Sequence, residues 1–131
     1  MSKTHDFLQE CGTFFLTTIN QGRPAARPFG AVMELGNELY ISTANTKDVY
    51  HQLVSNPQVQ IVAHKAGTRD WVRIDGTAVE VHDLDIKQAM LDTFPGLTKR
   101  FDSNACKFFA LFKIAEMTSA LNTNGAFVPL T

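Results

Sequence analysis

Two cysteines, Cys11 and Cys106, are all that the 131-residue chain carries. That excludes a disulfide framework, and their separation excludes a C-x-x-C redox or zinc motif. In a reducing compartment both read as small buried hydrophobes. The four histidines, His5, His51, His64 and His82, lack the H-x-x-x-H and H-x-H spacings of a ligand set and have no clustered acid beside them, so no metal site is expected. An excess of one charge is also lacking. Twelve basic against thirteen acidic side chains give a formal net charge of −1, without the field that draws a protein to nucleic acid or an anionic membrane. Any anionic ligand must be gripped locally. No apolar stretch approaches the roughly 18 residues of a membrane span, and Met1-Ser2-Lys3-Thr4-His5-Asp6 lacks the apolar run of a secretion signal. A cytoplasmic protein is expected, with neither nucleic acid nor membrane as partner. The signatures G-x-S-x-G, G-x-x-x-x-G-K and G-x-G-x-x-G are missing, as is a close carboxylate pair. An enzyme with so little chemistry of its own needs a bound cofactor for the hard step.

What is present is an ordinary globular balance, 44% hydrophobic and 19% charged, at a length that fits one domain over residues 1–131. Thr4 can cap a short opening helix through Glu10, stopped by Gly12. Thr13–Ile19 is rich in strand formers, and Asn20-Gln21-Gly22 turns into a second extended segment from Pro24 to Glu34. Pro24 and Pro28 lack backbone donors, so that strand belongs at an edge or carries a bulge. Gly36-Asn37 leads into Leu39–Thr43. An amphipathic helix follows, capped near Asn45 or Thr46 and ended by Asn56-Pro57. Val59–His64, Asp70–His82 and Phe108–Ile114 read as three further strands. Asp83 caps a helix between the last two, broken by Pro95-Gly96, and the tail after Asn122 reads as loop. Six strands joined mostly by hairpins predict a mainly β antiparallel barrel with short helices on its rim.

Three segments stand out. Ser42-Thr43-Ala44-Asn45-Thr46-Lys47-Asp48 places hydroxyls, an amide, a lysine and fresh backbone N–H groups at a strand-to-helix junction, the parts of a phosphate site. A lysine in a helix's first turn opposes the dipole unless an anion sits there. The alternative is that Thr46 is only a cap and Lys47 a solvated charge. In Ala26-Arg27-Pro28-Phe29-Gly30, strand alternation sends Arg27 and Phe29 to one face, while Pro28 loosens the ladder enough for a flat ring to bond the backbone. A surface ion pair for Arg27 and a core place for Phe29 form the plainer option. Trp71, Arg73 and Asp75 alternate with Val72, Ile74 and Gly76, giving one polar-aromatic face suited to a ligand or partner. The competing arrangement has Trp71 plugging the barrel and Arg73 paired with Asp75 or Glu80. No residue reads as a catalytic acid or base.

Taken in order, Gly22-Arg23-Pro24, Arg27-Pro28-Phe29-Gly30, Leu39-Tyr40-Ile41-Ser42-Thr43, Lys47, Leu53, Asn56-Pro57-Gln58-Val59 and Trp71-Val72-Arg73-Ile74-Asp75-Gly76-Thr77-Ala78 resemble the pyridoxamine 5′-phosphate oxidase-like flavoproteins. Within that group the chain is most similar to the nitroimidazole-resistance-type proteins, grouped as nitroreductases. The resemblance implies a six-stranded split β-barrel of Greek-key type and a homodimer with FMN in the grooves between subunits. It implies further that Arg27, Pro28 and Phe29 lie along the flavin and that Ser42, Thr43, Asn45 and Lys47 hold its phosphate. Trp71 and Arg73 would line the groove, from either chain. The implied activity is that of an FMN-dependent oxidoreductase passing hydride to a small-molecule acceptor, for instance a nitro-aromatic. The alternatives are a non-catalytic flavin-binding or redox-sensing stress protein, or a barrel of this kind using F420 or haem. The chain lacks the C-terminal arginine and histidine set of the longer authentic oxidase, so pyridoxamine phosphate oxidation is not implied.

Overall fold

The computed structural model describes all 131 residues. Its elements run α1 (Lys3–Cys11), β1 (Phe14–Asn20), β2 (Arg23–Phe29), β3 (Met33–Leu35), β4 (Glu38–Ala44), α2 (Asp48–Ser55), β5 (Gln58–His64), β6 (Trp71–Val81), α3 (Leu84–Thr93), a 3-10 turn (Pro95–Lys99), β7 (Phe109–Thr123) and β8 (Ala126–Pro129). All strand pairs are antiparallel, in the order β2-β1-β5-β6-β7-β4-β3 with β8 added along β7. β2 and β3 end that path yet are consecutive in the chain, joined only by Gly30–Val32. The sheet therefore curls until its two edges meet through covalent chain rather than a ladder. The result is the expected mainly β barrel, split along one seam.

Eight strands replace the six that the sequence predicts. The segment from Pro24 to Glu34 divides, because the chain leaves the ladder after Phe29 and re-enters it at Met33. Pro28 can donate nothing there, and β2 lies at the sheet edge, as a proline-bearing strand must. The second added strand lies in the tail. β7 continues to Thr123, Asn124 and Gly125 take positive φ of 53° and 79°, and β8 returns. A two-residue Asn-Gly turn with both residues left-handed is the preferred hairpin connection.

Two helix caps also differ from expectation. Ser2 rather than Thr4 caps α1, accepting from the His5 N–H at 3.1 Å, while buried Thr4 bonds the Ser119 hydroxyl at 2.6 Å. α2 starts after Lys47, and no side chain caps it, neither Asn45 nor Thr46. Asp83 caps α3 as its position predicts, accepting from Asp85 and Ile86 at 2.8 and 3.1 Å.

The barrel interior is filled by alternate residues of the strands, among them Phe14, Leu16, Leu39, Ile41, Ile61, Val72, Ile74 and Phe112, with Phe7 and Leu8 of α1 packed onto them. Burying each such side chain contributes about 1.5–3 kcal/mol. A second, smaller core lies outside the barrel, where Met90 and Leu91 of α3 and Phe101 pack on Met33, Tyr40, Phe109 and Leu111. No helix is long and apolar enough to cross a membrane.

Candidate functional site

A cleft of about 570 Å³ opens where the barrel seam is unpaired. One wall is the run Arg27–Ala31 leaving β2. The floor comes from the β4-to-α2 junction through Ser42, Thr43, Ala44, Thr46, Lys47 and Val49, and the opposite wall from Leu97, Arg100, Phe101 and Phe108. Its size lies within the usual range of about 300–1,000 Å³ for small-molecule sites.

Arg27 is fixed before any ligand arrives. Alternation along β2 leaves Arg27 and Phe29 half-buried and Ala26 and Pro28 exposed, so the two share a face as predicted. Phe29 packs on Phe14 at a ring distance of 5.9 Å. The Arg27 guanidinium donates through Nη1 to the Leu16 carbonyl at 3.2 Å and the Thr18 hydroxyl at 2.7 Å, and through Nη2 to Gln52 Oε1 at 2.6 Å. The Thr18 hydroxyl in turn donates to the same Gln52 oxygen at 2.5 Å. Burial lowers the Arg27 pKa from its ordinary value, and Asp48 opposes that shift. An arginine remains charged at neutral pH regardless.

The floor gathers donors. Thr43 is buried and Ser42 half-buried, and the first turn of α2, uncapped by any side chain, leaves N–H groups for a ligand or water. Three cations, Arg27, Lys47 and Arg100, line the cleft without a single carboxylate. In a chain of net charge −1 that is a strongly local positive site. It suits an anion such as a phosphate monoester, and Gly30 and Ala31, outside any strand, offer backbone groups to the polar edge of a flat ring. The lining of this chain has no His, Cys, Met or Tyr.

The expected site residues do not all meet here. Arg27, Pro28, Phe29, Ser42, Thr43 and Lys47 do. The Asn45 side chain turns away, donating to the Lys107 carbonyl at 2.7 Å. Trp71 and Arg73 lie on the outer face of the sheet. Trp71 meets Phe127 edge-on at 5.4 Å, and the Arg73 guanidinium stands 5.0 Å from the Trp71 ring and 5.3 Å from that of Phe127. Trp71 is thus no barrel plug, and Asp75 and Glu80 bond Gln60 and Tyr50 rather than Arg73. Arg73 lines a separate hollow of about 410 Å³ with Thr118, Phe127 and Pro129.

A family model for pyridoxamine 5′-phosphate oxidase matches residues 1–105. The chain belongs to this family. A NimC/NimA family protein from Clostridium acetobutylicum is similar at 30% identity and TM-score 0.90, the match covering 98% of this chain and 90% of that one. Two more distant structures share the fold. A pyridoxamine 5′-phosphate oxidase-related, FMN binding protein from Nostoc punctiforme is 16% identical with TM-score 0.60, over 89% of this chain and 80% of that one. HutZ, the haem storage protein of Vibrio cholerae, is 20% identical with TM-score 0.69, over 88% and 90%. No curated protein matches the sequence. In this pyridoxamine 5′-phosphate oxidase-family chain, sequence reasoning missed the far wall of Leu97, Arg100, Phe101 and Phe108. Phe101 and Leu97 reach the cleft through the outer core beneath α3 and Phe108 through the bonds of Asn45 to residues 107 and 108, all contacts distant in sequence that no local pattern signals.

Proposed function

We propose that the cleft binds FMN and that the chain acts as an FMN-dependent oxidoreductase, a cytoplasmic homodimer reducing a small acceptor of which a nitro-aromatic is the leading candidate. The observation that carries the reading is a carboxylate-free cleft in which Arg27 and Lys47 stand beside an uncapped helix start and an unpaired run of backbone. Lys47 and Arg27, with the hydroxyls of Ser42, Thr43 and Thr46, would hold the phosphate. The Pro28–Ala31 backbone would meet the ring. When bound, FMN supplies hydride or electron transfer, chemistry that no side chain here offers. The chain's own residues bind and orient it, and Phe29, Leu97, Phe101 and Phe108 shield it from water.

The dimer reading is supported by the outer sheet face. Register aligns Pro28, Phe15, Val62, Arg73, Ala120 and Pro129 in one row across β2, β1, β5, β6, β7 and β8. Phe15, Phe127 and Val128 are each nearly half exposed on or beside it. A chain of this size has few other ways to cover such a face.

The visible spectrum of the purified protein, with FMN titration, tests the reading. A flavin spectrum and one FMN per chain are expected, whereas a colourless protein that takes up no FMN overturns it. One observation favours a second reading. The cleft lining contains no His, Cys, Asp, Glu or Tyr to move a proton, as in a protein that holds flavin without turnover. Oxidation of NADH or NADPH by the loaded protein with any acceptor separates the two.

A further inference from the structure

The cations of the cleft stand at two separate ends. Arg27, Lys47 and the first turn of α2, with Asp48 beside Arg27, form the end proposed for the phosphate. The position of Arg100 separates it from the other two. Arg27 is tied to α2 through Gln52, and Lys47 directly precedes that helix, so both belong to the α2 end of the cleft. Arg100 follows the 3-10 turn on the other wall. Its neighbour Phe101 stacks on Phe109 at 4.7 Å and sits in the outer core, against which Leu97 and Ala31 also pack. Arg100 therefore stands at the Ala31 end, and four residues of extended chain from Arg27 to Ala31 span at most about 13 Å.

Arg100 is exposed, and no hydrogen bond or ion pair within the chain holds its guanidinium, the ion pairs being His5–Asp6 and Lys65–Glu10. Beside it lie the apolar side chains of Leu97, Phe101 and Phe108. A free planar fork of donors on a wall that also carries Leu97 and the half-exposed Phe108 ring matches a carboxylate on a flat body, because the fork bonds both oxygens while the apolar side chains take the flat face.

We propose that Arg100 is the substrate-side anion receptor of this cleft, taking the carboxylate of a planar aromatic small molecule held beside the flavin. The proposal rests on the FMN reading above. Its probes are benzoate and its neutral counterpart benzamide, titrated into the FMN-loaded protein and followed by the flavin difference spectrum. Benzoate is expected to bind at least about tenfold tighter than benzamide, as a charge-assisted bond implies. Arg100→Gln should abolish that preference while leaving FMN affinity within about twofold, and Arg100→Lys should restore part of it, since an ammonium keeps the charge and loses the fork. FMN uptake by the wild-type chain with equal affinity for the two probes overturns the proposal alone. So does a loss of FMN but not riboflavin affinity in Arg100→Gln, which would make Arg100 a ligand of the cofactor phosphate. Failure of the wild-type chain to take up FMN overturns the cofactor reading, and this proposal with it.

Discussion

The Asn45 side-chain amide donates to the Lys107 carbonyl at 2.7 Å, and the Asn45 N–H donates to the Phe108 carbonyl at 3.0 Å. This pair pins the loop before β7 onto the junction between β4 and α2, and so fixes Phe108 as a wall of the cleft. Asn45 acts as a positioning residue. Asn45→Ala removes one side-chain bond at an exposed place and should cost about 0.5–1.5 kcal/mol in a denaturant melt. It should weaken FMN and riboflavin by the same factor, because the wall moves while the phosphate contacts stay. A loss confined to FMN would mean that Asn45 touches the phosphate after all.

Gly76 lies in the motif Trp71–Ala78 for a packing reason. A Cβ built there would come within 2.6 Å of the Ile114 Cγ2 and 3.1 Å of the Ala115 carbonyl oxygen. Ile114 is buried and β-branched, so it has little room to yield. Next to this contact the β6–β7 register shifts between Asp75 and Thr77, and Glu116 takes a positive φ of 51°. Gly76→Ala should destabilise the chain by about 1–3 kcal/mol, read as a lowered Tm. An unchanged Tm would show that β7 relaxes freely at this bulge.

Much of this was legible in advance, for reasons that belong to particular residues. The alternation of Trp71, Arg73 and Asp75 against Val72 and Ile74 gave the two faces of β6 correctly, since period-2 burial is a local property. The prolines of β2 marked an edge. The tail after Asn122 reads as loop, because the short, fully exposed strand after the Asn124-Gly125 turn is apolar throughout and has no alternation to announce it. Asn45 does not cap α2, because an amide near a helix start has local uses and distant ones, and the chain uses a bond to a loop 62 residues away. Gln52 escaped for the same reason, since its partners lie on β1 and β2.

Gln52 is where stability and ligand affinity should diverge. Its Oε1 accepts from both Arg27 and Thr18. Gln52→Glu would put a carboxylate on Arg27, which should hold or raise stability by up to about 1 kcal/mol. The same charge competes with the phosphate, so FMN should weaken at least about tenfold. Thermal melts of the ligand-free protein alongside FMN titration check both signs. Parallel losses would instead make Gln52 simply structural.

Trp71 tests the outer face. It is half-buried, held edge-on by Phe127 and beneath Arg73, with none of its contacts in the barrel core. Trp71→Ala should preserve the far-ultraviolet circular dichroism while shifting sedimentation from dimer towards monomer. FMN affinity should fall along with dimerisation if the grooves are shared between subunits. A variant that unfolds outright would make Trp71 part of the core, and an unaltered dimer would move the interface elsewhere.

Lys47 is the sharpest probe of the cofactor phosphate. It is exposed, directly precedes an eight-residue helix that no side chain caps, and lines the cleft with Thr46. Loss of a charge-assisted hydrogen bond costs about 1.5–3 kcal/mol, which is roughly 10- to 150-fold in Kd. Lys47→Ala should therefore weaken FMN by that factor. Riboflavin has the same ring and ribityl chain without the phosphate, so its weaker binding should stay nearly constant. Stability should move by no more than about 0.5 kcal/mol, and upward if anything, since a cation at a helix N-terminus opposes the dipole. Comparison of the two ligands isolates the charge from the rest of the site. Equal losses for both, or none for either, would remove Lys47 from the phosphate site and leave Arg27 as the cation on which that end of the cleft depends.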